Sequence, residues 1–261
     1  MARRTGWNGR RCDRCRDRSA IGTTRAPLTL PVMIFRPLLA GATLSERLVA
    51  SVGAMIAIAL TIVVCAGLPL AMADLPIIVA PLGASAVLVF AVPASPLAQP
   101  WPVVGGNVIS TLVGVAVFNT VPDTTIAAGV AVGAAILVMS LCRCLHPPGG
   151  AAALTAVIGS QGIHAAGYAF AFAPVGINSI ALVSIAMFVH RATARNYPHE
   201  PIVAPPAPGP SRFDPSDLDA ALADMHESFD IARDDLDALL AHAERHAMIR
   251  SAGRAAADRR P

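Results

Sequence analysis

Between residues 48 and 190, more than half of the 261-residue chain, the only formally charged side chains are Asp74, Asp123 and Arg143. A water-soluble exterior cannot be built from such a stretch, because an ordinary globular domain is roughly 25 % charged and spreads that charge over its surface. The whole chain is 54 % hydrophobic and 14 % charged. The stretch therefore reads as membrane-embedded, and the fold class as all-α: a polytopic transmembrane helical bundle.

Six apolar segments follow one another, at 48–70, 77–92, 103–121, 125–142, 147–159 and 172–190. At ~1.5 Å per residue the first is long enough to cross a hydrocarbon core of ~30 Å. The segments at 77–92 and 147–159 are short, the former broken by Pro81 and Gly83, the latter by Pro147, Pro148, Gly149 and Gly150. The order long, short, long thus occurs twice. Setting Pro81 opposite Pro147 puts Gly83, Ser85 and Ala86 opposite Gly149, Ala151 and Ala152. Three crossings per unit predict two inverted triplets, and paired interrupted segments point to a transporter's central site. The plainer alternative is that small residues recur because membrane helices pack closely through them.

All 20 basic residues are arginine. With a cytoplasmic N-terminus and six crossings, every one of them falls on the inner side, while Asp74 and Asp123 fall in outer loops; this predicts both termini cytoplasmic. The net charge of +3 and the 5 % aromatic content give no basis for nucleic-acid binding. Residues 1–47 read as a basic arm, 48–190 as the transmembrane domain, 191–212 as a Pro-rich linker, 213–248 as an acidic amphipathic helical hairpin and 249–261 as a disordered tail. In the hairpin Asp214, Pro215 and Asp217 have the pattern of a helix start. The C-x-x-C of Cys12 and Cys15 has no second pair to complete a zinc site, so no metal or other cofactor is expected.

The densest motif is R-C-L-H-P-P-G-G, 143–150. A histidine before two prolines cannot sit inside a regular helix, because proline lacks an N–H and keeps the preceding backbone extended. The expected arrangement is a turn at Gly149 and Gly150, with free N–H groups of the next helix pointing back toward His146 to favour an anion. Ser85, after the other interruption at Gly83, and Asn107, Ser110 and Thr111 on one side of the third span are the candidates to complete a polar lining. Against this, Ser and Thr hydroxyls often bond their own preceding turn, and an Asn can be satisfied across a helix interface. Arg143 is either a gate for anions or an inner-face anchor. No G-x-S-x-G or H-E-x-x-H is present and no carboxylate within the spans pairs with His146, so an enzyme is not expected.

The order of P-L-G-A-S-A-V-L (81–88), S-P-L-A-Q-P (95–100), G-G-N (105–107) and L-H-P-P-G-G-A-A-A-L (145–154) closely resembles the HPP family of integral membrane proteins, over roughly residues 36–197. The resemblance implies a compact bundle of four or more spans, placed for a bacterial member in the inner membrane. Some plant and cyanobacterial relatives are associated with nitrite transport. Longer bacterial relatives continue into a pair of CBS domains, which is expected to be lacking here. Two functions follow as expectations: a secondary transporter or channel for a small inorganic anion, nitrite being the family-derived species, or a non-transporting scaffold or sensor acting through the cytoplasmic hairpin. The expected partners are that anion, the lipid bilayer and, through small-residue helix faces, a second copy of the chain.

Overall fold

Thr43 opens the first helix with a capping box: its hydroxyl accepts from Glu46 N at 3.3 Å, and the Glu46 carboxylate accepts from Thr43 N at 2.7 Å. This reciprocal pairing satisfies two otherwise orphaned donors and starts α1 (Leu44–Ala66) ahead of the apolar run itself. The computed structural model describes residues 43–67, 76, 78–201, 214–227 and 229–257. Most of the basic arm with Cys12 and Cys15, Asp74, most of the Pro-rich linker and residues 258–261 lie outside them.

Proline and capping side chains set the remaining starts. Pro81 begins α2 (Pro81–Ala91) and Pro100 begins α3 (Pro100–Thr120), with a single 3-10 turn at Pro96–Ala98 between them. Asp123 accepts from Ile126 N at 2.9 Å to start α4 (Thr124–Leu141). Then come α5 (Pro147–Ile158) and α6 (Gln161–Ala166). A wide helical turn, Ala171–Gly176, is bent at Ala173 (φ −132°, ψ 111°) beside Pro174 and leads into α7 (Ile177–Ala192). Finally α8 spans Pro215–Met225 and α9 Arg233–Ala257. Among the described residues there is no strand.

Among the described residues four helices are apolar and long enough to cross a membrane: α1, α3, α4 and the continuous Ala171–Ala192. The other two apolar segments form helices of only 11 and 12 residues, α2 and α5, each roughly 17 Å long and so about half a hydrocarbon core. Six segments of the sequence are thus four full-length helices and two half-length ones. Arg195 donates to Glu46 O at 3.0 Å, Trp101 Nε1 to Cys142 O at 3.3 Å, and Tyr197 to Ala98 O at 2.9 Å. These contacts gather the starts of α1 and α3 and the ends of α4 and α7 at one end of the bundle.

The helices meet through small residues. Gly106, Ser110 and Gly114 recur every fourth residue on α3 and are all buried. A Cβ on Gly106 would lie 2.5 Å from His146 Cβ, and one on Gly114 would collide with the backbone of Ala153. On α4 the buried positions are Ala127, Ala131, Ala135 and Met139, and on α1 Ala50, Gly53, Ala57, Thr61 and Cys65. Lipid tails are as apolar as Leu, so close backbone approach is what drives such helices together. Neighbouring pairs are α1–α2, α4–α5, α1–α7, α3–α4, α2–α7, α3–α5, α2–α5 and α3–α7.

Two helices end in the same motif. After α4, Cys144 N donates to Met139 O at 2.9 Å and Arg143 N to Ser140 O at 3.2 Å; after α7, Arg195 N donates to His190 O at 2.9 Å and Ala194 N to Arg191 O at 3.3 Å. Both are Schellman closures, with Arg143 and Ala194 at φ 53° where glycine is usual.

In the C-terminal region Asp214 accepts from Ser216 N at 2.9 Å and Asp214 N donates to Asp217 at 2.8 Å, a capping box for α8. Arg233 at the start of α9 binds Asp219 of α8 at 2.7 Å and also Asp237; the hydrogen bond it donates, helped by its charge, holds the Asp219 carboxyl below the usual range. Helix α9 continues to Ala257, through residues expected to belong to a disordered tail. Ala and Arg are strong helix formers and no proline interrupts them.

Gly114→Ala is expected to destabilise the protein by about 1–3 kcal/mol through overpacking against Ala153. Gly129→Ala, where a Cβ meets nothing within 4 Å, should instead stabilise α4 by about 0.5–1 kcal/mol. Thermal unfolding of the detergent-solubilised variants measures both, and a loss of melting temperature for Gly129→Ala equal to that for Gly114→Ala would contradict the packing argument.

Candidate functional site

His146 is extended (φ −138°, ψ 109°), as the residue before a proline must be, and forms the N-cap of α5. This turns the imidazole into the bundle beside Gly106, whose missing side chain provides the space. The ring is fully buried. Its Nδ1 lies 2.8 Å from Leu97 O and its Nε2 lies 2.8 Å from Ser85 Oγ. A carbonyl can only accept, so the partners assign the hydrogen to Nδ1; in the neutral ring Nε2 then accepts from the Ser85 hydroxyl.

Asn107 extends the chain. Its Nδ2 donates to Ser85 Oγ and to Ser179 Oγ, each at 3.2 Å, while the Ser179 hydroxyl donates to Val175 O at 2.9 Å. With the hydroxyl hydrogens of Ser85 and Ser179 directed elsewhere, only an NH2 group suits both contacts, which fixes the amide orientation. Asn107 Oδ1 is consequently left without a hydrogen-bond partner among the described residues, on a residue 1 % exposed. The result is a directed network across α2, α3, α5 and α7, closed to solvent, with one unoccupied acceptor. Asn107 stands about 10 Å along α3 from Pro100, well inside the membrane by helix rise.

The structure brings His146, Ser85 and Asn107 into contact and treats the other candidates differently. Ser110 donates to Gly106 O and Thr111 to Asn107 O, the latter at 2.7 Å, so both hydroxyls bond the preceding turn of their own helix. Gly149 is buried, and a Cβ there would lie 2.6 Å from Ser110 Oγ and 2.7 Å from Met139 Sδ. Gly150 would meet only Val132, at 3.8 Å, and Gly83 is exposed with nothing within 4 Å. Neither lines the network. Arg143 is exposed at the end of α4, the position of an anchor. The expected cradle of free N–H groups at α5 is not formed: Pro147 and Pro148 have no N–H to offer, and Gly149 N donates to His146 O at 2.8 Å.

Three polar side chains escaped the sequence reading. Ser179 closes the network, and its neighbour Asn178 accepts from Val79 N at 3.1 Å, just before α2, and contacts Cys65 Sγ at 3.0 Å. An adjacent amide and hydroxyl in an otherwise apolar span were the available signal. His190, 1 % exposed, donates from Nε2 to Val89 O at 3.0 Å and stacks on Phe90 with ring centroids 5.1 Å apart. His164 is half-buried and stacked on Phe118 with ring centroids 3.8 Å apart. Among the described residues no group of three or more His, Cys, Asp or Glu is placed to hold a metal ion.

If the network acts as a unit, the stability losses of Ser85→Ala and Asn107→Leu should be non-additive by about 0.5–3 kcal/mol, as for residues in direct contact. Ser184→Ala, whose hydroxyl is exposed and bonds only its own helix at Ile180 O, should combine additively with either. Melting of the single and double variants in detergent decides this; additivity throughout would dissolve the network into independent bonds.

Comparison with known proteins agrees with this architecture. The model of the HPP transmembrane region matches residues 40–198. A transmembrane protein of Dictyostelium discoideum is 40 % identical over 120 residues, covering 44 % of this chain and 38 % of the relative. A second transmembrane protein of that organism is 36 % identical over 131 residues, covering 48 % of this chain and 46 % of the relative. Each match thus spans less than half the length of the curated relative. No solved structure matches. With membrane-length helices, the half-length helix opened by His146-Pro147-Pro148, and a family match over more than half its length, this chain belongs to the HPP transmembrane-region family of multi-pass membrane proteins.

Proposed function

We propose that the protein is a secondary transporter or channel for a small inorganic anion, with nitrite the species that the family resemblance implies. The observation that carries this reading is the buried network joining both half-length helices, through Ser85 and His146, to α3 and α7 through Asn107 and Ser179. Polar groups this deep in a membrane are costly unless they serve a function, and paired interrupted helices meeting near mid-depth are the usual frame of a transport site. No catalytic role is proposed.

Two further features support the finer architecture. Exchanging α1, α2 and α3 for α4, α5 and α7 turns the pair α1–α2 into α4–α5, α1–α7 into α3–α4, and α2–α7 into α3–α5, while α2–α5 and α3–α7 map onto themselves. Such a packing scheme is what two inverted triplets produce. Arg47, Arg143, Arg191 and Arg195 belong to the bundle end at which α1 starts and α4 and α7 finish, and Asp123 caps the opposite end. The positive-inside rule then favours cytoplasmic termini, in the inner membrane for a bacterial cell.

A second reading, a scaffold or sensor working through the C-terminal helices, is favoured by a specific contact. Ser95 donates to Asp230 at 2.7 Å and His199 pairs with Asp235 at 2.9 Å, so the start of α9 rests on the loop before α3. In that case removal of residues 201–261 should abolish assembly with a second copy, read by cross-linking in membranes, while leaving the bundle folded; an unchanged cross-linked dimer would reject it.

For transport, saturable nitrite uptake into proteoliposomes should exceed that of empty vesicles. Asn107→Ala or His146→Ala should reduce it about tenfold or more, the scale set by about 1–3 kcal/mol for an unpaired buried group. Arg143→Gln, at the exposed anchor, should leave it near the starting rate. Folded variants that all retain full uptake would remove the site from the pathway.

A further inference from the structure

The hydrogen-bond inventory of the network limits the form in which a solute can enter it, and this rests on the transport reading above. Every donor is engaged: His146 Nδ1 on Leu97 O, the Ser85 hydroxyl on His146 Nε2, both Asn107 amide hydrogens on Ser85 and Ser179, and the hydroxyls of Ser179, Ser110 and Thr111 on backbone carbonyls. The open position is an acceptor, Asn107 Oδ1, on a residue 1 % exposed. A bare anion would meet the negative end of an amide dipole there, with no donor to offset it. Nor, among the described residues, does a fixed cation face the site: α2, α3, α4 and α5 carry no Arg, Lys, Asp or Glu, and α7 carries only Arg191, three turns beyond Ser179. His146 is the titratable side chain in the network, and His190 lies near the far end of α7.

We propose that the central site takes its solute as the neutral conjugate acid of a small weak-acid anion, the solute O–H donating to Asn107 Oδ1, so that each anion crosses with one proton. The acid forms on one side by protonation of the anion and dissociates to the anion and H⁺ on the other, which balances charge and atoms without any group on the protein changing state. Nitrite and formate belong to this class. Nitrate and chloride, the anions of strong acids, do not.

Proteoliposomes of the full chain carrying a pH-sensitive dye in the lumen, given inward gradients of each of the four anions at matched ionic strength, test this. Nitrite and formate should produce saturable lumenal acidification above that of empty vesicles, one proton per anion, with initial rates rising about tenfold for each unit by which external pH falls at fixed total anion. Nitrate and chloride should produce none, and Asn107→Leu should lose the saturable component. Because the proton count is made on the unaltered protein, a failure of the variant to fold does not affect it. Saturable, pH-independent flux without acidification, or nitrate carried as readily as nitrite, would overturn proton-accompanied entry while leaving transport intact. No flux of any anion from folded, inserted protein would overturn both.

Discussion

The His146 imidazole is held between Leu97 O and Ser85 Oγ, 2.8 Å on either side, and much of the bundle is arranged around that grip. Its backbone is extended because Pro147 follows, and its side chain finds room because α3 carries Gly106 where any Cβ would strike it. The same four-residue repeat that places Gly106 also places Ser110 and Gly114 against Gly149, Ala153 and Ala156. Close packing and the polar site are therefore one construction: helices that approach within backbone contact leave no space for water, and the polar atoms between them must satisfy one another.

How much of this was legible in the chain depended on how local the cause was. The Asp214 cap and the shortness of the two proline-interrupted segments are dictated by residues within a few positions of one another, and they stand where the sequence put them, whereas the turn expected at Gly149 and Gly150 is already helix, because α5 starts at Pro147. Hydrogen-bond partners were not legible. Ser85 lies 61 residues from His146, and Asn107 lies 72 from Ser179, so whether a hydroxyl turns to its own helix, as Ser110 does, or across to another, as Ser85 does on donating to His146, is decided by packing. Gly83 and Gly149 make the same point. They align in sequence, yet one is exposed while the other is wedged against Ser110 and Met139.

The anion cradle read from the sequence fails for a related reason. A helix start is electropositive through its free N–H groups, but the two prolines that create the interruption at α5 also remove two of those groups, and Gly149 N is turned back onto His146 O. At α2 the corresponding donors, Leu82 N and Gly83 N, likewise bond Val79 O and Ala80 O at 3.0 Å. Proline thus breaks the helix without leaving a charged pocket, and the polarity of the site rests on side chains.

The loop before α3 connects this interior to the chain's exit. Leu97 O accepts from His146, Ala98 O from Tyr197, the Gln99 side chain from His199 N, and Ser95 donates to Asp230. Gln99 in turn donates to Pro93 O and Ser95 O, both at 2.9 Å, stiffening the loop against itself. Burial pushes the Tyr197 phenol well above its ordinary pKa, so its hydroxyl remains a donor over the whole physiological range. The carbonyl that fixes the imidazole inside the membrane therefore sits in the same five-residue support on which the residues after α7 and the start of α9 rest. A displacement of that support cannot leave His146 unaffected, because Nδ1 would lose a buried acceptor that nothing else in the network replaces.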